Sequence, residues 1–318
     1  MEPSESGPML VAVTGATGLI GSALVASLEA DGHEVIRFTR SPSPAPGAAR
    51  WDPAGGTIDA AALARAEGVV HLAGRSIGAI RWTPKVKAEI LSSRVRGTRL
   101  LAETMAGLPD GPRVLVCASG INYYGDRGDE VLTETSTGGQ GFLAEVCRQW
   151  EQAADPARAA GVRTVHVRTG FVQAVNGGAL AKQLPLFKVG LGGRLGSGRQ
   201  WWSWVAFDDV IGIYRHALAT DAASGPLNAT APNPVTNAEF TATVARVLGR
   251  PALLPVPRFG PRLLLGQMAE ELLFSSARIH PAATESSGYR FRHPTLEPAL
   301  RHVLNRPHAP RRDAQRGR

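Results

Sequence analysis

The sequence predicts an α/β fold, a doubly wound parallel sheet with a smaller mixed α/β lobe towards the C-terminus. Three observations lead there. Short apolar strand segments alternate with helical patterns along most of the chain. A turn with glycines three apart, Thr14-Gly15-Ala16-Thr17-Gly18-Leu19-Ile20-Gly21, separates the first strand from the first helix. Past about Pro251 the composition shifts to proline-rich turns that frame short helices.

Met9 to Val13 is an apolar run and sets a strand over 9–14. An amphipathic pattern then gives a helix over 19–31, and Glu34 to Phe38 gives the second strand. The segment 41–56, SPSPAPGAARWDPAGG, is rich in proline and glycine. It takes the place of a crossover helix and reads as a loop or short hairpin. Helices are expected at 59–66, 84–106, 141–160 and 208–220, and strands at 68–72, 113–118 and 162–168. A polar, glycine-dense stretch at 190–199 interrupts the second half, and short helices are expected at 261–273 and 296–304. The domain reading follows from these: a disordered N-terminus over 1–8, then a nucleotide-binding domain over 9–170 with returning elements to about 235. A substrate lobe spans 171–305, with the appendage at about 250–305, and a basic disordered tail covers 306–318.

Composition bounds the function. Apolar residues make up 43% of the 318, ordinary for a soluble globular protein. The two cysteines, Cys117 and Cys147, form neither a disulfide framework nor a metal-ligand spacing, so a reducing, cytoplasmic setting is expected. No His–Glu–His cluster points to a metal. The N-terminus is acidic and polar and reads as no signal peptide, and no apolar stretch approaches a membrane span. The net charge of +8 suggests nucleic acid at first sight. Yet five arginines sit in the tail 306–318 against one aspartate, and no helix face is basic. The expected partner is a small molecule, with no nucleic acid and no membrane.

The turn after the first strand carries the chemistry. Gly15, Gly18 and Gly21 let the backbone turn tightly, approach a pyrophosphate and pack helix on strand. The helix start at Ala16, Thr17, Leu19 and Ile20 offers free N–H groups and a partial positive charge to phosphates. This strand–turn–helix context is Rossmann-like and predicts a dinucleotide cofactor. An NAD site places an acid after the second strand, where it binds the ribose 2′-hydroxyl. Here Val35-Ile36-Arg37-Phe38-Thr39-Arg40-Ser41 has none, and Arg40 is a planar cation suited to a 2′-phosphate. NADP(H) is therefore favoured over NAD(H), with Arg75 a lesser option for the phosphate. Leu72, Ala73 and Gly74 end a buried strand with small residues that let the backbone pass close to the cofactor.

These residues resemble the extended short-chain dehydrogenase/reductase superfamily. The closer similarity is to its atypical "epimerase family" branch, whose members carry an uncharacterised C-terminal domain. The matching segments are Arg81-Trp82-Thr83, Ser93-Arg94-Val95, Tyr123-Tyr124-Gly125-Asp126 and Gly141-Phe142-Leu143-Ala144 with Cys147, Trp150 and Glu151. Arg199-Gln200-Trp201-Trp202-Ser203-Trp204 and Asn228-Ala229-Thr230-Ala231-Pro232 complete them. The resemblance implies a Rossmann domain, a nicotinamide cofactor and a mixed second lobe. It also implies a monomer, or a homodimer paired through helices like 84–106 and 141–160.

Superfamily chemistry uses a Tyr with a Lys four residues later. None of the four tyrosines here has that Lys, and no Lys occurs between Lys87 and Lys182. By resemblance Leu143 takes the Tyr position, Cys147 the Lys position, and Arg94 replaces the helix Asn. The candidate catalytic residues are Ser119, Tyr124 and Cys147. Tyr124 either faces substrate or packs its loop, Ser119 either contacts substrate or nicotinamide or caps a turn, and Cys147 is either a participant or a small buried residue. Ser119 and Arg94 are also candidate cofactor contacts, as is Arg168 at a strand end, whose backbone is expected to approach the nicotinamide. Alternation places Trp202 and Trp204 on one face of an extended segment, as pocket walls or as a structural cluster. Arg81 and Trp82 close the same cleft from the other side, and Asp208 and Asp209 cap a helix. The expected function is an NADP(H)-dependent oxidoreductase or epimerase-like enzyme on a small carbonyl or hydroxyl substrate. The alternative is a non-catalytic NADP(H)-binding sensor or scaffold.

Overall fold

The computed structural model describes residues 7–78, 81–252 and 254–306. The chain begins β1 (Leu10–Thr14), α1 (Leu19–Ala30), β2 (Glu34–Thr39), β3 (Ala48–Asp52), β4 (Thr57–Ile58), α2 (Ala60–Ala64), β5 (Gly68–His71), α3 (Pro84–Ala106) and β6 (Val114–Gly120). It continues β7 (Val131–Leu132), α4 (Phe142–Gln152), α5 (Asp155–Ala159), β8 (Arg163–Thr169), β9 (Phe171–Gln173) and α6 (Gly178–Lys188). Next come β10 (Trp201–Trp202), β11 (Trp204–Ala206), α7 (Phe207–Ala219), β12 (Gly225–Ala229), β13 (Val235–Thr236) and α8 (Asn237–Leu248). The last elements are α9 (Phe259–Leu265), α10 (Gln267–Ala269), β14 (Arg278–Ile279), α11 (Ala282–Ser286) and α12 (Leu296–Val303).

Eight strands form one sheet in the order β12-β8-β6-β5-β1-β2-β3-β4. Every pairing in it is parallel except β3 with β4. The order reverses at β1, which lies between β2 and β5, and the crevice beyond that switch point is where doubly wound sheets bind ligands. Alternation divides the two faces. Val11 and Val13 pack with Leu24 and Leu28 of α1 and with Val210, Ile213 and Tyr214 of α7. Ala12 and Val69 face the other way, onto Leu101 and Met105 of α3. Helix α3 starts where Pro84 follows the N-cap Thr83, whose side chain accepts the Val86 N–H.

A second core joins α6, α8 and α12 through Leu184, Phe187, Phe240, Val244 and Leu300, around Trp202 and Trp204. Three expectations change in detail. Segment 41–56 contributes β3, which extends the main sheet before turning back as β4, because Arg37 to Thr39 offer a parallel edge. The helix expected over 141–160 breaks into α4 and α5, where Pro156 in the first turn of α5 has no N–H to continue the ladder. The helix expected over 261–273 divides at Gly266, whose φ of 60° no helix accommodates. The N-terminal residues 1–6 and the basic tail 307–318 lie outside the described residues. Among the described residues no helix is long and apolar enough to cross a membrane.

Candidate functional site

The β1–α1 turn is built against the end of β5. Gly15 has φ 70°, and a Cβ there would lie 2.8 Å from the Ala73 nitrogen. A Cβ on Gly21 would lie 2.2 Å from the Gly15 carbonyl oxygen. Both obstacles are backbone, so the turn admits only glycine at these positions. Thr14 ties the two strand ends together: its carbonyl accepts the Leu72 N–H at 3.2 Å, and its hydroxyl lies 3.4 Å from the Ala73 nitrogen. Helix α1 then starts at the N-cap Gly18 with no side-chain cap and no acid in its first turn. The N–H groups of Leu19, Ile20 and Gly21 have no partner inside the helix, and the dipole adds a partial positive charge there. Ala16 is half-buried while Thr17 and Gly18 are exposed. An uncapped helix start, pressed against a glycine turn beside the exposed Gly74, fits a diphosphate.

Three arginines surround this cradle. Arg40 is exposed just beyond β2 and, among the described residues, has no hydrogen bond or ion pair. Arg75 is committed to Glu89 at 2.6 Å. Arg94 rises from α3 under Gly74, where a Cβ would meet its guanidinium carbon at 3.3 Å. It donates to the carbonyls of Arg75 and Ile90 at 2.9 and 3.1 Å and lies 4.8 Å from the Trp150 ring centre. Burial lowers its pKa, but a guanidinium remains a cation.

At the end of β6 the polar groups are coupled. Ser119 is buried and donates its hydroxyl to Glu151 Oε1 at 2.7 Å. Glu151 receives Arg168 in a two-pronged pair, Nε to Oε1 and Nη2 to Oε2, both at 2.8 Å. Burial opposes the charge on Glu151, yet the hydrogen bonds and charge of Arg168 hold its pKa below the ordinary value. Cys147 is buried one helical turn earlier. Burial, and then the Glu151 charge, push its thiol up to about 11, against smaller opposing contributions from Arg94, Gly120 and Ser119. The thiol therefore holds its proton at neutral pH. Leu143 is buried where the resemblance expects the phenol. The arrangement offers a fixed cation, a protonated thiol and an oriented hydroxyl.

The structure corrects several candidates. Tyr124 is fully buried among Ile121, Leu132, Ala277 and Ile279. Its hydroxyl donates to Asn228 Oδ1 at 2.8 Å and accepts from Arg168 Nη1 at 3.0 Å, and burial pushes its pKa up to about 12. It packs the loop, the second of its two readings, with no surface left open to solvent. The Arg168 side chain turns inward to Glu151 and Tyr124, which leaves only its backbone, at the end of β8, as a candidate cofactor contact. Trp202 and Trp204 do share a face, as alternation requires, but both are core. Trp202 stacks on Phe171 at 5.0 Å and meets Phe240 at 5.2 Å, and the Trp204 indole donates to the Asn233 carbonyl. Trp82 is buried edge-on to Phe142, its indole donating to the Ile77 carbonyl. Arg81 stays exposed, with one weak contact to the Leu263 carbonyl at 3.4 Å.

Sequence reasoning missed Glu271. Its carboxylate accepts the N–H groups of Phe142 and Leu143 at 3.1 and 2.8 Å, capping α4 from the C-terminal lobe. No local pattern signals a cap supplied from so far along the chain. Trp201, on the face opposite Trp202 and Trp204, turns away from the core, donates to Asp129 at 2.8 Å and lies under the Arg278 guanidinium.

The sequence matches the NAD dependent epimerase/dehydratase family over residues 11–229 and a domain of unknown function, DUF1731, over residues 256–303. An epimerase family protein of Mycobacterium leprae is 40% identical, with 94% of this chain and 96% of that protein covered. The crystal structure of human epimerase family protein SDR39U1 with NADPH is similar at a TM-score of 0.84 and 35% identity, covering 93% of this chain and 99% of that one. A UDP-glucose 4-epimerase of Thermotoga maritima shares the fold at a TM-score of 0.71 and 20% identity, with 93% of this chain and 98% of that chain covered.

Proposed function

The chain belongs to the NAD-dependent epimerase/dehydratase family, and from that premise we propose that it is an NADP(H)-dependent oxidoreductase or epimerase-like enzyme acting on a small carbonyl or hydroxyl substrate. The observation that carries the reading is the cradle at Gly15 to Gly21, closed by Leu72 to Gly74 and headed by the uncapped start of α1. The human relative solved with NADPH supports the same cofactor here. Arg40 supports the phosphorylated form, since it is exposed and unpaired where a 2′-phosphate would lie.

A bound nicotinamide supplies hydride transfer. The chain's own residues supply charge, orientation and hydrogen bonds. Arg94 provides the fixed positive charge that the absent lysine would have supplied, without giving up a proton. Cys147 and Ser119 offer hydrogen bonds at the end of β6, and Glu151, held by Arg168, sets the direction of the Ser119 hydroxyl. The second reading, a binding protein without turnover, draws support from Leu143 and Cys147 at the tyrosine and lysine positions.

Tryptophan fluorescence titrated with NADPH and with NADH tests the cofactor. Charge-assisted hydrogen bonds contribute about 1.5–3 kcal/mol, so Arg40→Ala should weaken NADPH about 10–150-fold and leave NADH unchanged. Equal loss for both cofactors removes the NADP(H) assignment. A screen of aldehydes, ketones and sugar nucleotides with NADPH tests the reaction. Saturable NADPH binding without turnover on any of them selects the binding protein.

A further inference from the structure

The C-terminal helix brings together three groups that the cofactor cleft does not use. Asp208 stands in the first turn of α7, His293 just before α12, and His302 in the last turn of α12. One carboxylate oxygen and two imidazole nitrogens from them lie within 4.8 Å of one another. We propose that this cluster is a binding site for a divalent transition metal, zinc foremost, which clasps α12 to α7.

The geometry is close to that of a ligand set. His302 Nε2 is 2.8 Å and His293 Nε2 is 3.8 Å from Asp208 Oδ2. Tetrahedral zinc, with bonds of about 2.0–2.1 Å, sets its ligand atoms about 3.3 Å apart. The two separations lie about half an ångström on either side of that value. The rings of His293 and His302 stack at 4.6 Å and offer their Nε2 edges to the same carboxylate. The His302 side chain is 57% exposed, so it has room to swing into place, and solvent has access for a water as fourth ligand. Two imidazoles with one carboxylate suit zinc, cobalt or nickel rather than magnesium or calcium.

The scaffold beneath the cluster is already fixed. Asp209, the neighbour of Asp208, is fully buried. It accepts the His293 N–H at 3.0 Å, the Arg292 N–H at 2.8 Å and the Tyr289 hydroxyl at 3.0 Å. The same turn of α7 thus holds the segment that carries one histidine while presenting the carboxylate ligand. On the other side Leu296, Ala299 and Leu300 bury α12 against the lobe core and set the position of His302. Asp208 lies far along the chain from the two histidines, which is why no motif revealed the set. A metal joining them binds the folded state alone and stabilises it.

The test uses the full chain without a polyhistidine tag. Zinc chloride is titrated against it by calorimetry, cobalt chloride is followed by visible absorption, and melting is recorded with and without chelator. One equivalent should bind at micromolar affinity, cobalt should give the intense bands of a tetrahedral site, and the metal should raise the Tm reversibly. His302→Gln and His293→Gln should each weaken zinc more than the about 10–100-fold typical of outer-shell changes, with NADPH titration unaltered. His302→Gln lies at an exposed position, so it folds even if the variant at 293 does not. No binding at millimolar zinc, or zinc affinity unchanged in His302→Gln, overturns the proposal.

Discussion

The buried pair between Arg168 and Glu151 sets up the sharpest stability test. In Glu151→Gln the side chain keeps its shape and loses its charge. The Arg168 side chain is 4% exposed and that of Glu151 12%, so the orphaned guanidinium has almost no water to turn to. Removing one partner of a buried pair costs about 3–5 kcal/mol. Here the lower end applies. The amide oxygen of glutamine still accepts one hydrogen bond, and Arg168 keeps the Tyr124 hydroxyl at 3.0 Å, the Glu134 carbonyl at 3.4 Å and the Tyr123 ring at 3.5 Å. About 3 kcal/mol at roughly 2 °C per kcal/mol predicts a Tm lowered by about 6 °C.

Urea denaturation at pH 7 measures the loss, and a pH series fixes its origin. Folding lowers the pKa of Glu151, so its contribution is present above the ordinary carboxylate value. It is lost as the pH falls from about 4.3 through the folded value. The difference between parent and Glu151→Gln should therefore shrink on the acid side. The double variant Glu151→Leu with Arg168→Met should recover much of the stability, since it leaves no buried charge unpaired and costs only the acceptor of the Ser119 hydroxyl. A loss below about 1 kcal/mol, or a difference independent of pH, would refute the argument that burial makes this pair costly to break.

Other perturbations separate the roles of individual residues. Gly21→Ala should cost about 1–3 kcal/mol by overpacking against the Gly15 carbonyl. Gly18→Val, at a φ of −75° with only that carbonyl at 3.3 Å, should melt near the parent while losing NADPH affinity by titration. Cys147, pushed up to about 11, should be about one-thousandth thiolate at pH 8, against about a quarter for an ordinary thiol. Its alkylation by iodoacetamide should still be rising at pH 10, towards the thiol's value of about 11, and a plateau near pH 9 would contradict the burial. Because folding raises that pKa, the same thiol contributes full stability below about 8.5 and loses it as the pH climbs towards 11. Trp202→Ala should cost about 3–5 kcal/mol from the core. Trp201→Ala, on the opposite face, should cost about 1 kcal/mol for its hydrogen bond to Asp129, and equal losses in the two melts would remove the distinction.

What the sequence made legible was whatever repeats locally. Five strands of the sheet, β1, β2, β5, β6 and β8, and the full length of α3 follow from apolar period and from Thr83-Pro84, because a cap and a proline act within one turn. The glycine turn was legible for the same reason: its constraints lie between Gly15 and Gly21. Helix α8 was also within reach, since Thr236 and Glu239 form a capping box ahead of an apolar face. The alternation of Trp201 to Trp204 was readable too, but not which face would be dry, since Phe171 and Phe240 arrive from other segments.

The candidate site was legible only where its partners are close in sequence. Tyr124 looked free because the residues that take its hydroxyl, Asn228 and Arg168, are brought to it by the strand order β12-β8-β6. Asn228 is held in turn by Glu134, whose carboxylate accepts its N–H at 2.9 Å and the N–H groups of Ala283 and Thr284 at 3.0 and 3.3 Å. A buried polar group must find such partners: Tyr124 finds them on the main sheet, and Glu134 finds two more in the C-terminal lobe. The spine from Ser119 through Glu151, Arg168, Tyr124 and Asn228 to Glu134 thus links the cofactor side of the sheet to residues 283–284. A substitution at Glu134 would leave three backbone donors and the Tyr124 network short of an acceptor. It should therefore perturb Ser119 at long range, while a substitution at the exposed Arg40 should not.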